Sequence, residues 1–338
     1  MVPEPRIAVI PPAVRSAGPQ IVKVAAMGGI VLDDAQQLVA DATAGVGADG
    51  KWSAFEAVIF APRQNLKTEF LLARILAGLF VFSESYIVYS AHQVKTTTKT
   101  FKRLRRAIEQ NPRLGARIAR TSNRIGAEMI ELSTGQTLEC VARSTNSGRG
   151  FTGDTIILDE AHELDADALA ALLPMLSTRP NPAVIYALSL GNEHSSHLGA
   201  LRARALDGQD PGVCWVEWSM ADDDDIGDRR VWAACNPAYP ARISMEYMEK
   251  EFRALGPERF ARERLGRSEW PAGEPDEWQL FTEDDWLACT TLDGKDVGEL
   301  LAAAAAAPAP VPARRPEWES WPGGIPPWVL RAPWEVTR

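Results

Sequence analysis

The chain has 338 residues, 46% of them hydrophobic and 24% charged, with a formal net charge of −9. This is ordinary globular composition, and the acidic balance excludes a uniformly basic nucleic-acid binder. No uninterrupted apolar run approaches the roughly 20 residues of a membrane span, and Met1-Val-Pro-Glu-Pro-Arg is no signal peptide, so a cytoplasmic protein without membrane contact is expected.

Cys140, Cys214, Cys235 and Cys289 contain no CxxC pair and read as reduced thiols rather than a disulfide frame. His92, His162, His194 and His197 show no zinc pattern; His194 and His197 read as a loop-to-helix surface.

Residues 1–50 form a Pro/Gly/Ala-rich lead-in with one short helix over 34–43. From 51 to about 220, strands alternate with helices. Phe55-Glu-Ala-Val-Ile-Phe-Ala61 reads as a strand, and Pro62-Arg63-Gln64-Asn65-Leu66-Lys67-Thr68 as a tight loop opening a helix over 67–80. A strand, a loop ending in Lys-Thr and a helix form the layout of a phosphate-binding loop, whose amides and helix N-terminus face phosphates. The pattern GxxxxGKS/T is not met, because Ala61 and Leu66 stand at its two glycines. Glycine there lets backbone pass close to phosphate, so Leu66 is expected to crowd or strain the loop at about 1–3 kcal/mol and to weaken nucleotide binding.

A strand over 86–90 and a helix over 93–110 follow. Between His92 and Arg124 stand Lys95, Lys99, Lys102, Arg103, Arg105, Arg106, Arg113, Arg117, Arg120 and Arg124, with Glu109 the only acid. Lys95, Lys99, Lys102 and Arg106 repeat along one helix face, as suits a nucleic-acid backbone. The alternative is a solvated face opposite Phe101, Leu104 and Ile108, which point to the core. Strands over 127–132 and 137–142 read as a hairpin around Ser133-Thr134-Gly135-Gln136.

Thr155-Ile-Ile-Leu-Asp159-Glu160 is a short apolar run ending in two carboxylates, the signature of a buried strand delivering acids to a sheet edge. In a P-loop ATPase the first acid holds the Mg²⁺ of the nucleotide and the second polarises the attacking water. A helix over 165–176, a strand over 183–190, a helix over 196–206 and a strand over 213–218 complete an α/β, mainly parallel sheet covered on both faces. Asp222–Asp225 read as a helix-starting cap, and helices over 226–234, 244–255 and 257–266 make a small helical subdomain within 221–290. Residues 291–338 are low-complexity Ala/Pro/Trp sequence, with Trp318, Trp321, Trp328 and Trp334.

Ala61-Pro-Arg-Gln-Asn-Leu-Lys-Thr68 resembles the deviant Walker A loop of bacteriophage terminase large subunits, commonly PRQNGKT. Three more segments agree: Leu32-Asp-Asp-Ala-Gln36-Gln37 before the loop, the Arg/Gly/Ser-rich run 142–153, and Ala187-Leu-Ser189-Leu-Gly191-Asn192 after the next strand. Together they cover roughly residues 30 to 270. The resemblance implies an additional-strand (ASCE, RecA-like) P-loop NTPase that binds ATP and Mg²⁺. In it Pro62 to Thr68 cradle the phosphates, Lys67 and Arg63 neutralise charge, and Thr68 and Asp159 hold the metal. Glu160 orients the water, Arg149 is an arginine finger, Gln36 (or equally Gln37) reads adenine, and Ser189 with Asn192 couples hydrolysis to movement.

It further implies a motor that drives double-stranded DNA into a procapsid from a homo-oligomeric ring. The partners would be the phage portal and the small terminase subunit, in the host bacterial cytoplasm. The family's nuclease domain has no counterpart here, which reads as a split or truncated gene product. Two other readings stand. Asp159-Glu-Ala-His162 spells the DEAH helicase signature, although no room follows residue 220 for a second motor domain. A non-enzymatic remnant binding DNA or capsid is the other.

Overall fold

In the computed structural model the described residues are 2–142, 152–164, 169–170, 172–193, 195–208, 210–271, 291–292 and 295–296. They divide into two compact units, 1–274 and 275–338. In the second, the described residues form one antiparallel pair, Thr291–Leu292 with Lys295–Asp296. The reading of a low-complexity tail otherwise lies outside the described residues, as does Arg149.

The first unit begins with β1 (Ile7–Val9), β2 (Arg15–Ser16), α1 (Gly18–Met27), α2 (Asp34–Thr43) and β3 (Gly45–Val46). Next come β4 (Glu56–Phe60), α3 (Lys67–Phe80), β5 (Tyr86–Ala91), α4 (Val94–Gln110) and the single turn α5 (Pro112–Gly115). β6 (Ile118–Ser122), β7 (Glu128–Leu132), β8 (Thr137–Ala142), β9 (Thr155–Asp159) and β10 (Ala183–Leu188) follow. The unit closes with α6 (Ser196–Asp207), β11 (Val213–Glu217), α7 (Arg229–Cys235), α8 (Met245–Leu255) and α9 (Pro257–Leu265).

Nine strands form one sheet in the order β1-β11-β4-β10-β9-β5-β8-β7-β6. β11, β4, β10, β9, β5 and β8 run parallel, while β1, β7 and β6 add antiparallel edges. The central strands are buried throughout, and their side chains alternate between two cores. Ala57, Ile59, Ile157, Ile185 and Ala187 pack with α1 to α4, whereas Val58, Phe60, Ile156, Leu158, Val184 and Leu188 face α6 and Leu164, Leu169, Leu172, Met175 and Leu176. Helices α7 to α9 gather a core of their own around Trp232, Met248 and Phe260.

Several elements escape the sequence reading, α1, β1 and β6 among them. Helix α1 packs on α3 with Ile21, Val24 and Ala25 buried, so residues 1–50 are partly built into the core rather than merely leading to it. β1 has three residues, and β6 extends the expected hairpin to a three-stranded meander. Of the helix expected over 165–176, residues 173–176 form a 3₁₀ turn, and 165–168 and 171 lie outside the described residues.

The turn from α3 into β5 contains a buried ion pair. Arg74 and Glu84, 3% and 6% exposed, meet through both guanidinium nitrogens, and Arg74 also stacks 5.4 Å from the Trp52 ring and 5.3 Å from Phe82. Gly78 makes room for it: a Cβ there would lie 2.3 Å from a Glu84 carboxylate oxygen and 2.5 Å from Ile87 Cδ1.

Candidate nucleotide site at the carboxyl edge of the sheet

β10 lies between β4 and β9, and the register sets their ends level. Leu188 pairs with Phe60, and Ala187 with Asp159. The 61–66 loop, Ser189 and Glu160 therefore emerge side by side at the carboxyl edge of neighbouring parallel strands, where open α/β sheets bind ligands.

The loop is fastened from below and from the side. Ala61, Pro62, Asn65 and Leu66 are buried; Arg63, Gln64 and Thr68 are exposed. Leu66 is 2% exposed, packed in the core shared by α1 to α4, and its φ of −135° is one any residue adopts. The left-handed position of the loop is Gln64, at φ 60°. The Leu66 side chain is thus held in the core beneath the loop.

Gln36 accounts for the other end of Leu66. Its amide NH₂ donates to the Leu66 carbonyl at 3.2 Å, and its amide oxygen accepts from Asp33 N in the capping box of α2. Gln36 is only 2% exposed, so the side chain expected on the adenine side is spent holding the loop. Gln37 donates to the Leu32 carbonyl at 2.8 Å.

Asn65, expected among the residues that cradle phosphate, is a hydrogen-bonding hub of the loop. Its NH₂ donates to Asn236 Oδ1 at 3.0 Å and to the Pro62 and Arg63 carbonyls at 3.2 Å each, and its Oδ1 accepts from Ala238 N at 2.9 Å. Asn236 in turn donates to the Arg264 carbonyl, and Arg264 donates to the Arg63 carbonyl while pairing with Glu251. Arg63 itself pairs with Glu263 at 2.8 Å. The α7–α9 subdomain thus grips the loop, through residues with no local sequence signal.

Lys67 starts α3, whose Leu66 N-cap offers no side-chain cap to the first-turn amides. Its ammonium donates to the Ala61 and Pro62 carbonyls. Burial pulls its pKa down to about 7; Asp159 and Glu160 oppose that shift, while Arg63 and Arg264 add to it. A cleft of about 180 Å³ has Leu66, Lys67, Thr68, Glu69, Arg103 and Arg242 in its lining, and a wider one of about 580 Å³ has Arg63, Glu251, Arg259, Arg262 and Glu263.

Asp159 is 8% exposed; it accepts from the Tyr89 hydroxyl at 2.7 Å and from Glu160 N at 3.0 Å. Glu160 sits at φ 52°, ψ 48°, left-handed backbone that costs a non-glycine residue about 1–3 kcal/mol. Ser189 is half-buried just past β10, and beyond it Asn192 shares a hydrogen bond with Ser195 Oγ, which also reaches the His162 carbonyl.

The basic face of α4 is open. Phe101, Leu104, Ala107 and Ile108 are buried, while Lys95, Lys99, Lys102 and Arg106 are exposed and make no ion pair among the described residues. Arg103 pairs with Glu69, and Arg105 with Glu109.

No family model and no curated protein sequence matches the chain. Solved structures do. The bacteriophage HK97 large terminase aligns with a TM-score of 0.62 at 18% identity, over 75% of this chain and 55% of that one. The chain therefore spans about half the length of that protein. The large terminase ATPase domain of Thermus phage P74-26 aligns at TM-score 0.52 and 18% identity, over 75% of this chain and 98% of that one. With β10 set between β4 and β9, the chain has the fold of the ATPase domain of phage large terminases.

Proposed function

We propose that this chain is an ATP-hydrolysing motor domain that moves double-stranded DNA into a phage procapsid. One observation carries the reading: the half-buried ammonium of Lys67 lies in the field of Asp159 and Glu160, at the edge where β4 and β9 flank an inserted strand. The residues fit ATP and Mg²⁺. First-turn amides of α3 without a side-chain cap and the Lys67 ammonium suit the β- and γ-phosphates; the Thr68 hydroxyl and Asp159 carboxylate are hard oxygen donors for Mg²⁺. The metal, when bound, neutralises charge developing on the phosphates.

Glu160 orients the attacking water, and Arg63, exposed beside the loop, stabilises the γ-phosphate. Arg149 supplies the finger and Ser189 senses hydrolysis. Gln36 serves through the Leu66 carbonyl, setting the height of the loop. Leu66 leaves the phosphate side clear, so the glycine-free loop is compatible with turnover. Helix α4 meets the DNA backbone with Lys95, Lys99, Lys102 and Arg106, and the motor works as a homo-oligomeric ring with portal and small terminase subunit in the host bacterial cytoplasm.

The test is ATP hydrolysis with and without duplex DNA, beside Glu160→Ala. DNA-stimulated turnover abolished by the substitution supports the motor; equal turnover in both proteins refutes it.

A further inference from the structure

Behind the acid pair, a chain of hydroxyls leads to the basic helix. Tyr89 lies on β5, the strand next to β9, and is fully buried. Its hydroxyl donates to Asp159 Oδ2 at 2.7 Å and lies 3.1 Å from Thr100 Oγ1 on α4. A phenol has one proton. With that proton given to Asp159, the Tyr89 oxygen accepts from Thr100, and the order Thr100 to Tyr89 to Asp159 is fixed. Burial and the Asp159 charge push the Tyr89 pKa far up, so the donor keeps its proton.

Thr100 is 5% exposed on the inward face of α4, next to Lys99 and two residues before Lys102. The same helix thus carries, outside, an exposed row of cations that make no ion pair among the described residues, and, inside, one end of the hydroxyl chain. Its length leaves little slack: a helix shift of about 0.5 Å takes 3.1 Å to a separation at which no hydrogen bond remains.

Resting on the reading that α4 meets duplex DNA and Asp159 meets the metal, we infer that Thr100 and Tyr89 are positioning residues that couple the two. DNA drawn onto Lys95, Lys99 and Lys102 sets α4, and Thr100 and Tyr89 pass that setting to the Asp159 carboxylate. Such coupling is reciprocal: if DNA changes the affinity for MgADP by a factor, MgADP changes the affinity for DNA by the same factor.

The experiment is a binding cycle on the full chain, with MgADP titrated in the presence and absence of short duplex DNA. It compares the native protein with Thr100→Val, which keeps the shape and removes the hydroxyl, and Thr100→Ser, which restores it. Native protein and Thr100→Ser are expected to show a coupling factor of about 5 or more. Thr100→Val is expected to fall to about 1, with each ligand binding alone as in the native protein and thermal stability within a few degrees. Coupling in Thr100→Val equal to native overturns the inference and leaves the motor reading intact. Absence of DNA binding by the native chain overturns both.

Discussion

Replacing Leu66 with glycine restores the second of the two missing glycines of the GxxxxGKS/T pattern, and the structure predicts that it harms the protein. Leu66 is 2% exposed and packs in the core shared by α1 to α4, so truncation removes a buried isobutyl group and leaves a cavity under the loop. Large-to-small changes of this kind cost about 2–5 kcal/mol, and the freed backbone adds about 0.5–1 kcal/mol. A loss of about 3–5 kcal/mol is a large share of the about 5–15 kcal/mol by which domains are stable. At about 2–4 °C per kcal/mol for a unit of this size, Tm should drop by roughly 10 °C. Thermal unfolding beside MgATP titration reads both quantities. Leu66→Met, which keeps the volume, should cost less than about 1.5 kcal/mol. Tighter nucleotide binding by Leu66→Gly at unchanged Tm would refute the argument, since it would mean that the side chain faces the phosphates.

Three further outcomes are expected. The Lys67 pKa of about 7 against an ordinary 10.5 means that the unfolded chain binds more protons between those values, so this group makes stability rise with pH from about 7 to 10.5; below 7 its cost is fully present. Phosphate binding to the charged form must then take up a proton above pH 7, weakening nucleotide affinity up to about tenfold per pH unit, and calorimetry in two buffers of different ionisation enthalpy should detect the uptake. Arg74→Ala strands Glu84 in the core and should cost about 3–5 kcal/mol in a urea melt, whereas replacing the pair together with apolar residues should recover most of it. Asn236→Ala leaves Asn65 short of a partner in a buried site, at about 1–3 kcal/mol, and should weaken nucleotide binding more than it lowers Tm; a Tm loss with unchanged affinity would show that the contact serves packing alone.

The strand, loop and acid pair at the sheet edge were legible in the sequence because they sit on short-range patterns. Lys67 and Thr68 follow a strand and open a helix, and Asp159 and Glu160 end an apolar run, so strand, loop and acids could be read locally. What could not be read depends on three dimensions. The direction of the Leu66 side chain follows from loop torsions, not from the motif. Asn236 and Arg264 reach the loop from 171 and 201 residues away. Helix α1 is Ala/Gly/Pro-rich with a weak local signal, and it is held by packing on α3 rather than by propensity. β1, three residues long, gains its strand character from pairing with β11.

Asn65 donates its amide NH₂ to Asn236 Oδ1, in a space where the two residues are 2% and 0% exposed. Over evolutionary time neither position is free to drift alone: a change at one leaves a buried polar group unmet at the other. The two should therefore covary among relatives. A chimera joining the sheet of one relative to the α7–α9 helices of another should fail wherever that pairing is mismatched, and exchange of both asparagines as a set should repair it.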